Sequence, residues 1–136
     1  MIKVFCDGGS RSNPGPAAYG FVVYDDQKII HKGKGYIGIA TNNFAEYTAV
    51  IQALLWLSEK FKGHDLNFYL DSNLVVSQLR GIFKIKSASL RELIFKIKSI
   101  ETNFGKISYW HVPRSKNKEA DELVNLALDE ELYKKV

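Results

Sequence analysis

The chain changes its hydrophobic rhythm at Asn43, and that switch limits what it can fold into. Before it, apolar residues come in short runs set between Gly, Pro, Asn and Asp, so that Ile2 to Asp7, Tyr19 to Tyr24 and Ile29 to Ile37 read as strands. A turn-rich loop, Asp7-Gly8-Gly9-Ser10 followed by Asn13-Pro14-Gly15-Pro16, separates the first two. Asp25-Asp26-Gln27-Lys28 supplies a hairpin connection between the next two. Three consecutive strands with short links predict an antiparallel meander. After the switch, Phe44, Tyr47, Val50, Ile51, Leu54, Leu55 and Leu57 recur at helical spacing up to about Lys60.

From there strands and helices alternate, which predicts an α/β fold with parallel strand pairing. Leu66 to Leu70 is a short buried strand, Ser72 to Leu79 a short helix, and Ser89 to about Thr102 a helix with Leu90, Leu93, Ile94, Ile97 and Ile100 on one face. Ile107 to Val112 is a fifth strand. A polar loop from Pro113 to Lys116 precedes a last helix, Lys118 to about Leu132, with Ala120, Leu123, Val124, Ala127 and Leu128 inward. The order is βββ-α-β-α-α-β-α. At 136 residues this is one domain, 1–136, with a core to about residue 128 and a tail over 129–136.

Hydrophobic residues at 46% and charged residues at 25% fit a globular chain and exclude a disordered one. Cys6 is the single cysteine, and His31, His64 and His111 are scattered, so neither an intrachain disulfide nor a four-ligand Cys/His zinc site can be assembled. The start lacks a signal-like apolar segment, and no apolar run approaches the roughly 18 residues needed to span a bilayer. A reducing, cytoplasmic setting without a membrane is expected. Nineteen Lys and Arg against fifteen Asp and Glu give a net charge of +4, a balance compatible with a polyanionic partner.

Four acids stand where a regular element meets a turn or a helix start: Asp7, Glu46, Asp71 and Asp121. In open α/β sheets, sites form beyond the carboxyl ends of adjacent strands. If the strands ending at Asp7 and Asp71 are parallel neighbours, both carboxylates enter one crevice, and the helix starts bearing Glu46 and Asp121 flank it. Carboxylates converging without basic partners repel one another, and divalent cations relieve that repulsion, which points to a hard-metal hydrolase. Each acid also has a local reading. Glu46 with Asn43 fits a capping box, Asp7 before Gly8 an Asx-turn, Asp71 a helix cap, and Asp121 a complement to a helix dipole.

The contexts of these acids decide between the readings. Asp7-Gly8-Gly9-Ser10, Asn13-Pro14-Gly15-Pro16-Ala17-Ala18-Tyr19-Gly20, Thr41-Asn42-Asn43-Phe44-Ala45-Glu46, Asp71-Ser72-Asn73 and Asn117-Lys118-Glu119-Ala120-Asp121 occur in that order. With them the chain resembles a type 1 ribonuclease H over residues 2 to about 128, in the short form of archaeal and some bacterial members that lacks a basic protrusion. The resemblance implies a five-stranded mixed sheet, three strands antiparallel and then two parallel, flanked by helices. It implies hydrolysis of the RNA strand of RNA/DNA hybrids to 5′-phosphate and 3′-hydroxyl ends by a single domain acting as a monomer. It further implies two Mg²⁺ ions, for which Mn²⁺ can substitute, held by Asp7, Glu46, Asp71 and Asp121, with Glu46 also touching the ribose 2′-OH.

Substrate contacts carry over in the same way. Asn13, Asn42 and Asn43 match minor-groove contacts, Thr41 a DNA-phosphate contact, and Asn73 a polar position usually held by Gln or Asn. Two departures stand out. The loop before the last helix has Arg114 where a mobile histidine is usual, and a guanidinium, which cannot act as a base, suits phosphate contact or product release. His111 is expected to be structural, and His31 and His64 surface residues. The connection from Arg80 to Ser87 is too short for the extra helix, leaving Lys84 and Lys86 to attract phosphate in its place. These departures keep open a relaxed nuclease that also cuts double-stranded RNA; a non-catalytic nucleic-acid-binding module of the same fold is the other alternative, against which the presence of all four carboxylates argues.

Overall fold

The computed structural model describes all residues except Phe83, Lys135 and Val136. Phe83 belongs to the short basic connection, and the last two to the expected tail; both lie outside the described residues. Five strands, β1 (Ile2–Ser10), β2 (Gly15–Asp25), β3 (Lys28–Ala40), β4 (Leu66–Leu70) and β5 (Ile107–His111), form one sheet in the order β3-β2-β1-β4-β5. The β1–β2 and β2–β3 pairs are antiparallel, and β4 is parallel to both β1 and β5. Among the described residues, four α-helices complete the fold, α1 (Asn42–Lys60), α2 (Asn73–Leu79), α3 (Ala88–Glu101) and α4 (Lys118–Tyr133), with a 3-10 turn over Arg114–Lys116 before the last.

The meander is longer than its apolar runs. Gly8, Gly9 and Ser10, expected in a loop, continue β1 opposite Tyr19, Ala18 and Ala17. The turn between β2 and β3 closes on the pair Asp25 and Lys28, with Asp26 at φ +54°, a left-handed conformation that Asp tolerates better than most residues. α4 runs to Tyr133 and so takes in residues 129–133, which Arg11–Asp129 and Lys34–Glu130 ion pairs tie to the meander.

Two apolar layers lie on opposite faces of the sheet. Under α1, Val4, Tyr47, Val50, Leu54, Leu57, Leu66, Phe68, Leu70 and Ile97 are fully buried, because the helical stripe of α1 meets the alternate inward residues of β1 and β4. On the other face α4 brings Val124, Ala127 and Leu128 onto Ala18. Here small residues set the distance: a Cβ at Gly20 would lie 2.7 Å from the Ala120 carbonyl oxygen and 2.8 Å from Leu123 Cβ. No helix among the described residues is long and apolar enough to cross a membrane. His31 departs from the expected surface position: it is half-buried, its ring stacked on Trp56 at 4.1 Å between centroids.

Candidate active site

The site begins with the close approach of α1 to β1. A side chain at Gly8 would run into the Ala45 carbonyl group, so only glycine lets the first turn of α1 settle there. Thr41 caps that helix, its Oγ1 accepting from the Phe44 amide at 3.2 Å. Glu46, one turn in, therefore turns away from the helix start, and its Oε1 accepts from the Gly8 N–H at 3.1 Å. The capping-box reading with Asn43 is thereby overturned: the cap is Thr41, and the Glu46 carboxylate is spent on β1.

The other local readings meet similar fates. Asp7 lies within β1 opposite Gly20 rather than in a turn. Asp71 follows β4, while Ser72 caps α2 by accepting from the Val75 amide. Asp121 does sit in the first turn of α4 with Glu119, where its charge suits the helix dipole.

Because β1 and β4 are parallel neighbours, Asp7 and Asp71 leave the sheet side by side. Ligand oxygens of Asp7, Glu46 and Asp71 all lie within 4.8 Å of one another. Asp121 joins them in a cleft of about 320 Å³ whose walls include Ser10, Asn42, Asn43 and Arg114. Asp121 stands toward the rim, where Arg114 Nη2 is 3.6 Å from its Oδ1. The arginine itself is 82% exposed.

The inner pair is electrostatically strained. Asp7 and Glu46 are 7% and 5% exposed. Burial, followed by the carboxylates of Asp71 and Asp121, pushes Asp7 up to about 7, even though the neighbouring Glu46 carboxyl works the other way. Burial and then the charge of Asp7 hold Glu46 well above the ordinary carboxylate range. Glu46 Oε2 is buried without a hydrogen-bond partner. Such groups are costly unless something neutralises them.

One residue with no expected role holds the frame together. Asn117 is 1% exposed, and its Nδ2 donates both to the Cys6 carbonyl at 2.8 Å and to Asp71 Oδ2 at 3.2 Å. It thus joins the middle of β1, the acid after β4 and the start of α4. A motif containing it was visible, but only contacts across 111 residues of sequence reveal its work.

Around the mouth, Asn42 Oδ1 accepts from the Ser10 amide at 2.8 Å, and the Asn42 amide donates to Asn13 Oδ1 at 3.0 Å. Both side chains spend their carbonyl oxygens inward, which turns their amino groups toward solvent as donors. Asn43 lines the cleft. Thr41 is exposed beside it while acting as a cap. Asn73, exposed at the start of α2, and Lys84 and Lys86, exposed in the connection between α2 and α3, are not part of the cleft wall. His111 ends β5, and both it and His64 are exposed.

Comparison with known proteins gives a consistent set. The family described as reverse transcriptase-like matches residues 5–127. A ribonuclease HI of Halobacterium salinarum is 42% identical over 95% of the chain and 65% of its own length. A bifunctional protein of Mycobacterium tuberculosis is 41% identical over 94% of the chain, which spans only 35% of that relative. A ribonuclease H1 named LC11, solved in complex with an RNA/DNA hybrid, superposes with a TM-score of 0.92 at 40% identity, covering 97% of this chain and 99% of that one.

Proposed function

The chain belongs to the type 1 ribonuclease H family, and from that premise we propose that it is an endonuclease hydrolysing the RNA strand of RNA/DNA hybrids. The observation that carries the reading is the buried, unpartnered Glu46 Oε2 among converging carboxylates. Three acids with ligand atoms within 4.8 Å, one of them lacking a protein partner, are a hard-oxygen donor set that fits divalent cations such as Mg²⁺ or Mn²⁺ and fits no soft metal. Asp7, Glu46, Asp71 and Asp121 would hold two such ions. Bound there, the pair would acidify an attacking water and offset charge on the leaving 3′ oxygen, giving 5′-phosphate and 3′-hydroxyl products.

The chain's own residues do the rest. Gly8 and Asn117 fix the carboxylates of Glu46 and Asp71 so that little reorganisation is needed when a phosphate arrives. Glu46 would contact the ribose 2′-OH beside the cut, the group by which RNA differs from DNA. The outward amino groups of Asn13 and Asn42, with Asn43, donate into a minor groove, reading shape more than base sequence. Thr41 and Asn73 contact the backbone, and Lys84 and Lys86 draw phosphate electrostatically from outside the cleft. Arg114, a fixed cation beside Asp121, engages phosphate and eases product departure. The same reading takes the chain as one catalytic domain, monomeric and cytoplasmic.

The test is to incubate the protein with end-labelled RNA/DNA, RNA/RNA and DNA/DNA duplexes in Mg²⁺, in Mn²⁺ and in EDTA, with Asp71→Asn as control. Metal-dependent cutting of the hybrid's RNA strand alone is expected. Cutting of RNA/RNA as well would mark a relaxed ribonuclease, and tight binding without cleavage in either metal would leave a binding module.

A further inference from the structure

The face of the sheet that carries α4 is only partly covered. α4 packs across β2, β3 and β1, whereas α2 packs on β4 and β5 from the side of the large core. Among the described residues, α4 meets that face mainly through β2 and β3, so the outward residues of β1, β4 and β5 are less covered: Phe5 and Tyr69 are half-buried and Trp110 is exposed, alternating with Lys3, Asn67 and Ser108. Phe5 of β1 stacks on Tyr69 of β4 with ring centroids 4.8 Å apart and planes 15° from parallel. Tyr24 of β2 meets Phe5 edge-on at 5.5 Å. In the next strand Trp110 lies in register with Tyr69.

Trp110 carries the argument furthest. It is 46% exposed on an edge strand, yet it is held in orientation: its Nε1 donates to Asn67 Oδ1 at 3.0 Å. The Arg80 guanidinium lies over its ring at 5.5 Å, and Arg80 Nε donates to the Tyr109 carbonyl. The ring is thus held at its edge and on one face while nearly half of it stays exposed, which fixes its orientation for a planar partner on the face that Arg80 does not cover. Beside the rings is a depression of about 490 Å³ lined by Phe5 and Tyr24 and by Lys3, Lys116 and Lys118, against the acids Asp26 and Glu119. With Arg80 the cations outnumber the acids, which suits a polyanion. Stacked rings on adjacent strands, bordered by lysines, are what unpaired bases and their phosphates need, because every base has a face to stack while the backbone tracks positive charge.

We propose that this open aromatic face of β1, β4 and β5 is a second nucleic-acid surface, separate from the carboxylate cleft, and that it binds single-stranded RNA or DNA by base stacking on Trp110, Tyr69 and Phe5. Ser115 to Lys118 form one wall of it, and Arg114, immediately before them, borders the cleft. An unpaired flank of a duplex seated in the cleft thus has a course along the protein.

Fluorescence anisotropy of labelled oligothymidylate and oligouridylate, in EDTA and with a saturating blunt-ended hybrid filling the cleft, tests this directly. Binding should persist, fall about fivefold or more in Trp110→Ala, and return largely in Trp110→Phe. Lys118→Glu, which leaves the rings untouched, should also weaken it and flatten its salt dependence. Cleavage of the blunt hybrid should be unchanged in each variant, and a matched melting temperature separates lost stacking from lost folding. Equal affinity for the two oligonucleotides assigns any unpaired strand to the face, and a preference assigns RNA or DNA. Displacement of the oligonucleotide by the blunt hybrid, indifference to both substitutions, or absence of binding with self-association through Trp110 would overturn the proposal.

Discussion

The two ends of α1 follow opposite rules. From Val50 to Leu57 its inward side chains are fully buried among apolar neighbours, and every contact there favours the folded chain. At its first turn, the same helix drives Glu46 into a 5% exposed position beside another carboxylate and leaves one oxygen unpartnered. The first region stabilises the fold. The second costs stability, and the apolar end offsets that cost.

Substitutions that treat the two ends alike would break this contrast. Asp71→Asn should lower hybrid cleavage on the order of a thousandfold or more, measured in single turnover, while hybrid binding holds or tightens as a repulsive charge is lost. Leu54→Ala should do the reverse: unfolding free energy falls by about 2–5 kcal/mol in urea titrations, with turnover per folded molecule nearly unchanged. Glu46→Gln sharpens the comparison, because it should cut activity on the order of a hundredfold yet leave the melting temperature equal or higher. A large loss of stability with normal turnover would return Glu46 to a structural role.

A smaller effect comes from pH. Asp7 is raised from its ordinary value of 3.8 to about 7, so the native state holds a proton that the unfolded chain has released. In EDTA, this contribution to stability is complete at about pH 4 and is lost as pH rises to about 7; Glu46 shifts in the same direction. Thermal unfolding should show that slope, and millimolar Mg²⁺ should flatten it. Arg114→Ala should have the mildest effect, roughly a tenfold loss of turnover, since an 82% exposed cation acts through a screened field.

How much of this was legible in the sequence follows the physics of each region. β4 appears at its expected bounds, Leu66–Leu70, and α1 and α4 begin within a residue of expectation, because one-sided burial writes a period into the chain. The ends of β1 and β2 did not, since Gly8 and Gly9 look like a turn until β2 pairs with them and α1 presses on Gly8. The four acids were visible as positions, but their inequality was not: only the fold buries Asp7 and Glu46 and leaves Asp121 at the rim. Asn117 and the open aromatic face depend on register between distant strands, which no local pattern encodes.

The fork made by Asn117 has a bearing on anyone who would move this site to another scaffold. A graft of four acids at matching backbone positions would copy the visible parts and omit the jig that aligns them. One amide group gauges the gap between two strands and the pitch of a helix at once, so an error in any one element is transmitted to the others. For the chemistry proposed above, the smallest portable unit is therefore five side chains, and the fifth is neutral.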